Sequence, residues 1–165
     1  MPGLATVAHL NVAQLALLAK VDFKVVYFDG PQQVEAAFRG QVDAAVAGYA
    51  PISPHVNARQ AVALGVFAER RLPLARDVPT FKELGFNVTL GSLQGIIAPR
   101  GTPAAIVKAL DDAISKAVTE PSFVSLAKQT GNTIDYKGPE AFAAELRRAF
   151  ETNGDLIRAL RLTSL

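Results

Sequence analysis

The chain has 165 residues, 50% of them hydrophobic and 19% charged, which leaves enough apolar side chain for a core and excludes wholesale disorder. Its net charge of +2 comes from scattered basic residues, and the densest group (Arg70, Arg71, Arg76) lies in a proline-containing loop without aromatic neighbours, which argues against a nucleic-acid partner. The absence of cysteine removes disulfides, thiolate catalysis, zinc ribbons and iron–sulfur clusters together.

No apolar run approaches the ~18 residues needed to cross a bilayer. Met1-Pro2-Gly3 lacks the basic start, apolar middle and small-residue cleavage site of a secretory signal. Residues 6–20 read as a helix with Thr6 as N-cap and Leu10, Ala13, Leu17 and Leu18 on one face. Residues 22–28, rich in valine and aromatics, read as a strand; Asp29-Gly30-Pro31 closes it and opens a helix that Gly40 ends.

Val42 to Ala47 is a short apolar run suited to a strand buried on both faces, and Gly48 and Pro51 then fit a tight turn and a helix start, with the helix running to about Ala58. Residues 61–67 form a third buried-type strand, followed by a polar loop over 68–77. Residues 79–84 suggest a short helix with a capping box from Thr80 to Glu83, stopped by Gly85. Residues 87–90 and 95–98 are further extended pieces.

Beyond Pro99-Arg100-Gly101-Thr102-Pro103 the pattern turns helical. Thr102 and Pro103 open a helix lined by Ile106, Leu110, Ile114 and Val118, and Pro121 opens a second that Gly131 ends. Pro139 opens the last, with a stripe of Phe142, Leu146, Phe150, Ile157 and Leu160 interrupted at Asn153-Gly154. Alternating β and α over the first hundred residues predicts an α/β sheet with helices on both faces.

Three βα turns can be placed at one edge of that sheet: Thr6-Val7-Ala8-His9, Asp29-Gly30-Pro31, and Ala47-Gly48-Tyr49-Ala50-Pro51. The first turn of a helix offers free N–H donors and about half a positive charge, enough to hold a carboxylate without Lys or Arg. Thr6 either adds a hydroxyl donor to such a site or caps its own helix; Tyr49 either meets the ligand or is a partly buried loop tyrosine. Asp29 suits a helix cap better than a carboxylate cleft. A site of this kind binds a small anion and leaves it unchanged.

Catalytic constellations are poor. His55 lies in a short proline-flanked helix, His9 sits in a first helical turn, and Ser92 is misplaced for a nucleophile elbow. No H-E-x-x-H, Walker loop or G-x-G-x-x-G occurs, and the adjacent Asp111 and Asp112 point in different directions on a helix. The expectation is a protein that is not an enzyme, with no cofactor and no metal.

Several stretches resemble one family, the periplasmic solute-binding receptors of tripartite tricarboxylate transporters, also called Bug proteins. They are the segment from Pro2 to Leu10, Val26-Tyr27-Phe28-Asp29-Gly30, Gly40-Gln41-Val42-Asp43, the D-V-P-T-F-K-E-L-G run from Asp77 to Gly85, and the run from Gly91 to Pro103 ending in A-P-R-G-T-P. Their order and spacing cover nearly the whole chain.

The resemblance implies a two-lobed receptor of the type II periplasmic-binding-protein kind that closes on a small di- or tricarboxylate and hands it to the transporter's membrane subunits. Carried over by position, it implies ligand contacts at Thr6, Val7 and Ala8, with His9 beside them, and at Ala47, Gly48 and Tyr49, with Gly30 in the turn between. It also implies one lobe nearly complete over residues 1–95, and over 96–165 the crossover and helical C-terminal part of the other, the opening of that lobe lying outside the chain.

Departures are the apolar Ala5 and Val7 where the family has a loop richer in glycine, serine and threonine, Gln94 in place of an aromatic, and Asn153 near a frequent tryptophan. With first-lobe strands missing, Phe142, Leu146 and Phe150 lose cover worth about 1.5–3 kcal/mol each. Set against the ~5–15 kcal/mol of ordinary stability, that predicts a chain that is marginal, self-associating or rearranged. The alternative to a partial receptor is a truncated remnant acting only as a structural or self-association module.

Overall fold

A computed structural model describes residues 1, 3–4, 6–28 and 32–160. The chain divides into two compact units, one of residues 1–92 with the chain from Asn153 onward, the other of residues 93–152.

In the first unit, α1 (Val7–Ala19) starts at Thr6, whose side chain accepts from the His9 N–H, and ends at Lys20 in the left-handed conformation. Its buried residues are His9, Leu10, Asn11 and Val12, a consecutive run in its first half. Leu17 and Leu18 are exposed, so the expected stripe is not the buried face. The helix is apolar nearly all round, and periodicity therefore selects no side; tertiary anchoring of its first half does.

Next, α2 (Gln32–Phe38) buries Gln33, Val34 and Ala36 and ends at Gly40, whose φ of 68° suits glycine. Its proposed opening, Asp29-Gly30-Pro31, lies outside the described residues. Then α3 (Tyr49–Asn57) starts two residues earlier than expected, with Gly48 as N-cap. Pro51 thus sits inside the first turn, where its missing N–H still costs no helical hydrogen bond.

The expected sheet is the main correction. Residues 22–28, 42–47, 61–67, 87–90 and 95–98 carry strand-type sequences but form no named strand among the described residues. The one β-bridge there is parallel, between Val66 and Thr80. Met1 makes a comparable rung, its ammonium donating to the Val26 carbonyl at 2.9 Å and its carbonyl accepting from Phe28 N–H at 3.0 Å. The described part of the molecule is therefore mostly helical. A strand exists only by pairing, and a run with the right residues and no neighbour remains extended chain.

Around residues 79–85 the capping box forms as expected: Thr80 N–H donates to Glu83 Oε2 at 2.7 Å and Glu83 N–H donates to Thr80 Oγ1 at 3.0 Å. The backbone makes turns rather than the expected short helix and stops at Gly85, φ 92°. Thr80 and Val88 are the most deeply buried side chains.

In the second unit, α4 (Ala104–Ala117) is N-capped by Pro103 without a side-chain hydrogen bond. Thr102, the expected cap, instead donates to Pro99 O at 2.8 Å. Pro121 at the first helical position and Gly131 at φ 72° bound α5 (Pro121–Thr130) as expected. The last helix, α6 (Pro139–Ala159), runs through Asn153-Gly154 without the expected interruption. Gly95 meets the Phe142 ring so closely that a Cβ there would overlap it, and any larger residue would have to displace the ring. No helix among the described residues is long and apolar enough to cross a membrane.

Candidate functional site

Both described candidate loops belong to the first unit. At the first, Thr6 Oγ1 donates to Gly3 O at 2.8 Å and accepts from His9 N–H at 3.4 Å. Its single proton is committed to the backbone, so Thr6 acts here as a cap rather than as a free hydroxyl donor. The cap consumes the third amide of the helix. The amides of Val7 and Ala8 find no acceptor among the described residues, and both residues are only half-buried. They are donors of the kind a carboxylate oxygen accepts from.

His9 is buried, and its imidazole packs edge-on against Tyr27 with ring centroids 5.5 Å apart. The Tyr27 hydroxyl and His9 Nε2 lie 3.3 Å apart, in a hydrogen bond whose direction follows the tautomer. Burial pushes the imidazole pKa below its ordinary 6.5 by disfavouring the cation. A neutral, packed histidine offers the site its shape, and no fixed positive charge.

At the second loop, Ala47 is half-buried and Gly48 exposed, with Gly48 at φ −62° and ψ 164° just before α3. No side chain caps that helix, which leaves its first turn open to an external acceptor. The Tyr49 hydroxyl donates to Leu74 O at 2.8 Å, which ties the loop to residues 68–77. Tyr49 therefore behaves as a partly buried loop tyrosine whose ring, not its hydroxyl, is on offer.

Among the described residues, no hydrogen bond or ring contact joins Thr6, Val7 or Ala8 to Ala47, Gly48 or Tyr49. Gly30, the remaining candidate, lies outside the described residues.

Two further features were not read from the sequence. Asn11, 3% exposed, clasps the backbone of Leu90: its Nδ2 donates to Leu90 O at 2.9 Å and its Oδ1 accepts from Leu90 N–H at 3.1 Å. The signal available was an asparagine inside an otherwise apolar helix face, beside Leu10. The other is the set of ion pairs around residues 69–89. Arg71 Nε donates to Glu83 at 2.9 Å and Arg71 Nη1 to Arg76 O at 2.9 Å. Thr89 Oγ1 donates to Glu69 at 2.9 Å. These commit the Arg71 side chain to holding its own loop. Among the described residues no group of three potential metal ligands forms.

Each loop thus presents the first turn of a helix, and at Val7 and Ala8 the amides have no acceptor among the described residues. The chain belongs to the tripartite tricarboxylate transporter family of receptors, whose family model matches residues 1–162. A relative from Pseudomonas sp. (strain P51), the UPF0065 protein in the tcbD-tcbE intergenic region, is 32% identical over 167 residues and is matched over 98% of this chain and 49% of its own length. A second, the UPF0065 protein in the gbd 5' region of Cupriavidus necator, is 34% identical over 128 residues, covering 77% of this chain and 39% of that protein.

Among solved structures, a TctC solute-binding protein from Polaromonas superposes with a TM-score of 0.77 at 26% identity, over 95% of this chain and 55% of its own. MatC from Rhodopseudomonas palustris, solved with bound malate, superposes at 0.79 and 27% identity, over 94% of this chain and 55% of its own. The chain thus spans about half the length of the relatives it matches, and over that half it has their periplasmic-binding-protein-like fold.

Proposed function

We propose that this chain is part of a periplasmic solute-binding receptor that holds a small di- or tricarboxylate and delivers it to the membrane subunits of a tripartite tricarboxylate-type transporter. The observation that carries this is the pair of amides at Val7 and Ala8, half-buried and without an acceptor among the described residues, in a chain of this family. The malate bound to MatC, 27% identical to this chain, supports a carboxylate as the ligand.

In this reading the carboxylate takes N–H bonds from Val7 and Ala8 and from the loop of Ala47, Gly48 and Tyr49. His9 and Thr6 shape the first turn, and Gly30 lines the turn between. The framework is an α/β receptor whose strand-type runs pair in the whole two-lobed protein, with the lobes divided as 1–95 and 96–165. Closure of the lobes around the anion does the work, without turnover, cofactor or metal.

Isothermal titration with malate, adipate and citrate tests it. Weak binding is expected, lost by about tenfold in Ala8→Leu, where a larger side chain keeps the ligand oxygen from the amides. Equal binding by wild type and Ala8→Leu contradicts the site. A second reading, a self-associating structural module, is favoured by the exposure of Phe150 and Ile97, 81% and 84%. An obligate homodimer with no carboxylate binding would select it.

A further inference from the structure

The start of α3 is short of anchors. The helix buries no residue of its own, and Gly48 brings no side-chain hydrogen bond to its first turn. Its far end is held by the His55 ring, tilted against Phe38 with centroids 4.3 Å apart. At the near end, among the described residues, the side-chain hydrogen bond to a distant segment is the one from the Tyr49 hydroxyl to Leu74 O, 2.8 Å long. Where that carbonyl stands therefore decides where the loop of Gly48 and Tyr49 stands.

Leu74 lies in a turn outside any helix or strand. Ala75 N–H donates to Leu72 O at 3.0 Å and Val78 N–H to Ala75 O at 3.1 Å, but both bonds stay within the loop. Arg71 ties the turn to the rest of the unit. From just ahead of the turn, its Nε donates to both Glu83 oxygens, at 3.0 and 2.9 Å, and its Nη1 reaches across to Arg76 O at 2.9 Å. Glu83 is fixed in turn by its box with Thr80, which is 1% exposed and bridged to Val66.

The Arg71 and Glu83 side chains are 44% and 46% exposed, and an ion pair so open to water contributes little to stability. Its effect is geometric. A planar guanidinium that makes three hydrogen bonds at once admits few placements of the turn it spans, which an ammonium on a flexible stem would not restrict in the same way.

We propose that Arg71 is a positioning residue for the second candidate loop: it staples the turn so that Leu74 O meets the Tyr49 hydroxyl, and through that bond it sets the placing of Gly48 and Tyr49. What the loop then holds rests on the receptor reading above, whereas the placing needs no ligand.

Amide NMR of the ligand-free chain tests it with Arg71→Gln, Arg71→Lys and Tyr49→Phe. Arg71→Gln should shift the Gly48 and Tyr49 signals, leave that of His55 at the far end of α3 still, and barely change the urea midpoint. Arg71→Lys keeps the charge without the fork and should shift them as well. In malate titrations, Arg71→Gln and Tyr49→Phe should each weaken binding by about threefold to tenfold, and the double variant by no more than the larger of the two, because both break one link. Unmoved Gly48 and Tyr49 signals in Arg71→Gln, wild-type signals in Arg71→Lys, or losses that multiply in the double variant overturn the proposal. A wild-type chain that does not bind malate removes the carboxylate reading instead, and the ligand-free spectra still decide the role of Arg71.

Discussion

In the first unit, α1 buries four consecutive residues, α2 three and α3 none, whereas in the second α4 buries none, α5 only Ala127, and α6, which runs on into the first unit, none. The helices of the second unit are no less well written: proline starts, a glycine stop and apolar residues at helical spacing are all present. The difference lies in what crosses between distant parts of the chain. The first unit has the Asn11–Leu90 clasp, the Val66–Thr80 rung and the Phe67–Phe81 stack. The second has Gly95 against Phe142 and a Tyr136–Asp111 hydrogen bond at 2.6 Å, with Ile106, Leu110, Leu126 and Phe150 in solvent. Local pattern makes helices; only long-range partners make a core.

The sharpest way to break that contrast is Asn11→Ala. It leaves the half-buried N–H and C=O of Leu90 without their partner and should cost about 2–3 kcal/mol, read as a lower midpoint in urea. A loss below half a kcal/mol would mean that the clasp does not hold α1.

Thr80→Ala removes one arm of the reciprocal box with Glu83 and should cost about 1–2 kcal/mol in the same measurement. The Thr80 N–H is the largest of the contacts that hold the Glu83 carboxyl below its ordinary 4.5, ahead of Arg71. That contribution is present at neutral pH and fades only as pH falls through the carboxylate range.

His9 acts in a higher window and with the same sign, since folding favours its deprotonated, here neutral, form. Its pKa is lowered on folding, so the unfolded chain takes up the proton first as pH falls below about 6.5. Stability should therefore be level above that value and decline below it, until the folded imidazole also protonates. Thermal melts from pH 8 to 5 should fall more steeply for wild type than for His9→Gln; parallel curves would mean that His9 titrates alike in both states.

Smallest of all, Phe150→Ala should change stability by no more than about 0.5 kcal/mol, because its ring is already 81% exposed. A cost of 2 kcal/mol or more, on the scale of a buried aromatic, would show that the second unit hides a core.

Helix starts and stops were legible because they are written within four residues: Thr6, Gly40, Pro121, Gly131 and the Thr80–Glu83 box all stand where the sequence puts them. The sheet was not, since strand pairing depends on residues far apart in the chain, and the runs at 42–47 and 61–67 read alike whether paired or bare. The face of α1 was misread because leucines and alanines occupy every side, and the asparagine that anchors it carries no periodic signal. At the candidate site, the helix starts were readable, while the fate of the Thr6 and Tyr49 hydroxyls was not, because each goes to a backbone carbonyl that no motif marks.

The most direct test is a two-dimensional amide NMR titration of this chain with malate. Peptide N–H groups at helix starts that hold a carboxylate predict the largest shift changes at Val7, Ala8, Gly48 and Tyr49, saturating together. Changes that saturate elsewhere, for instance around Phe38 and His55, while those four amides stay still, would contradict it.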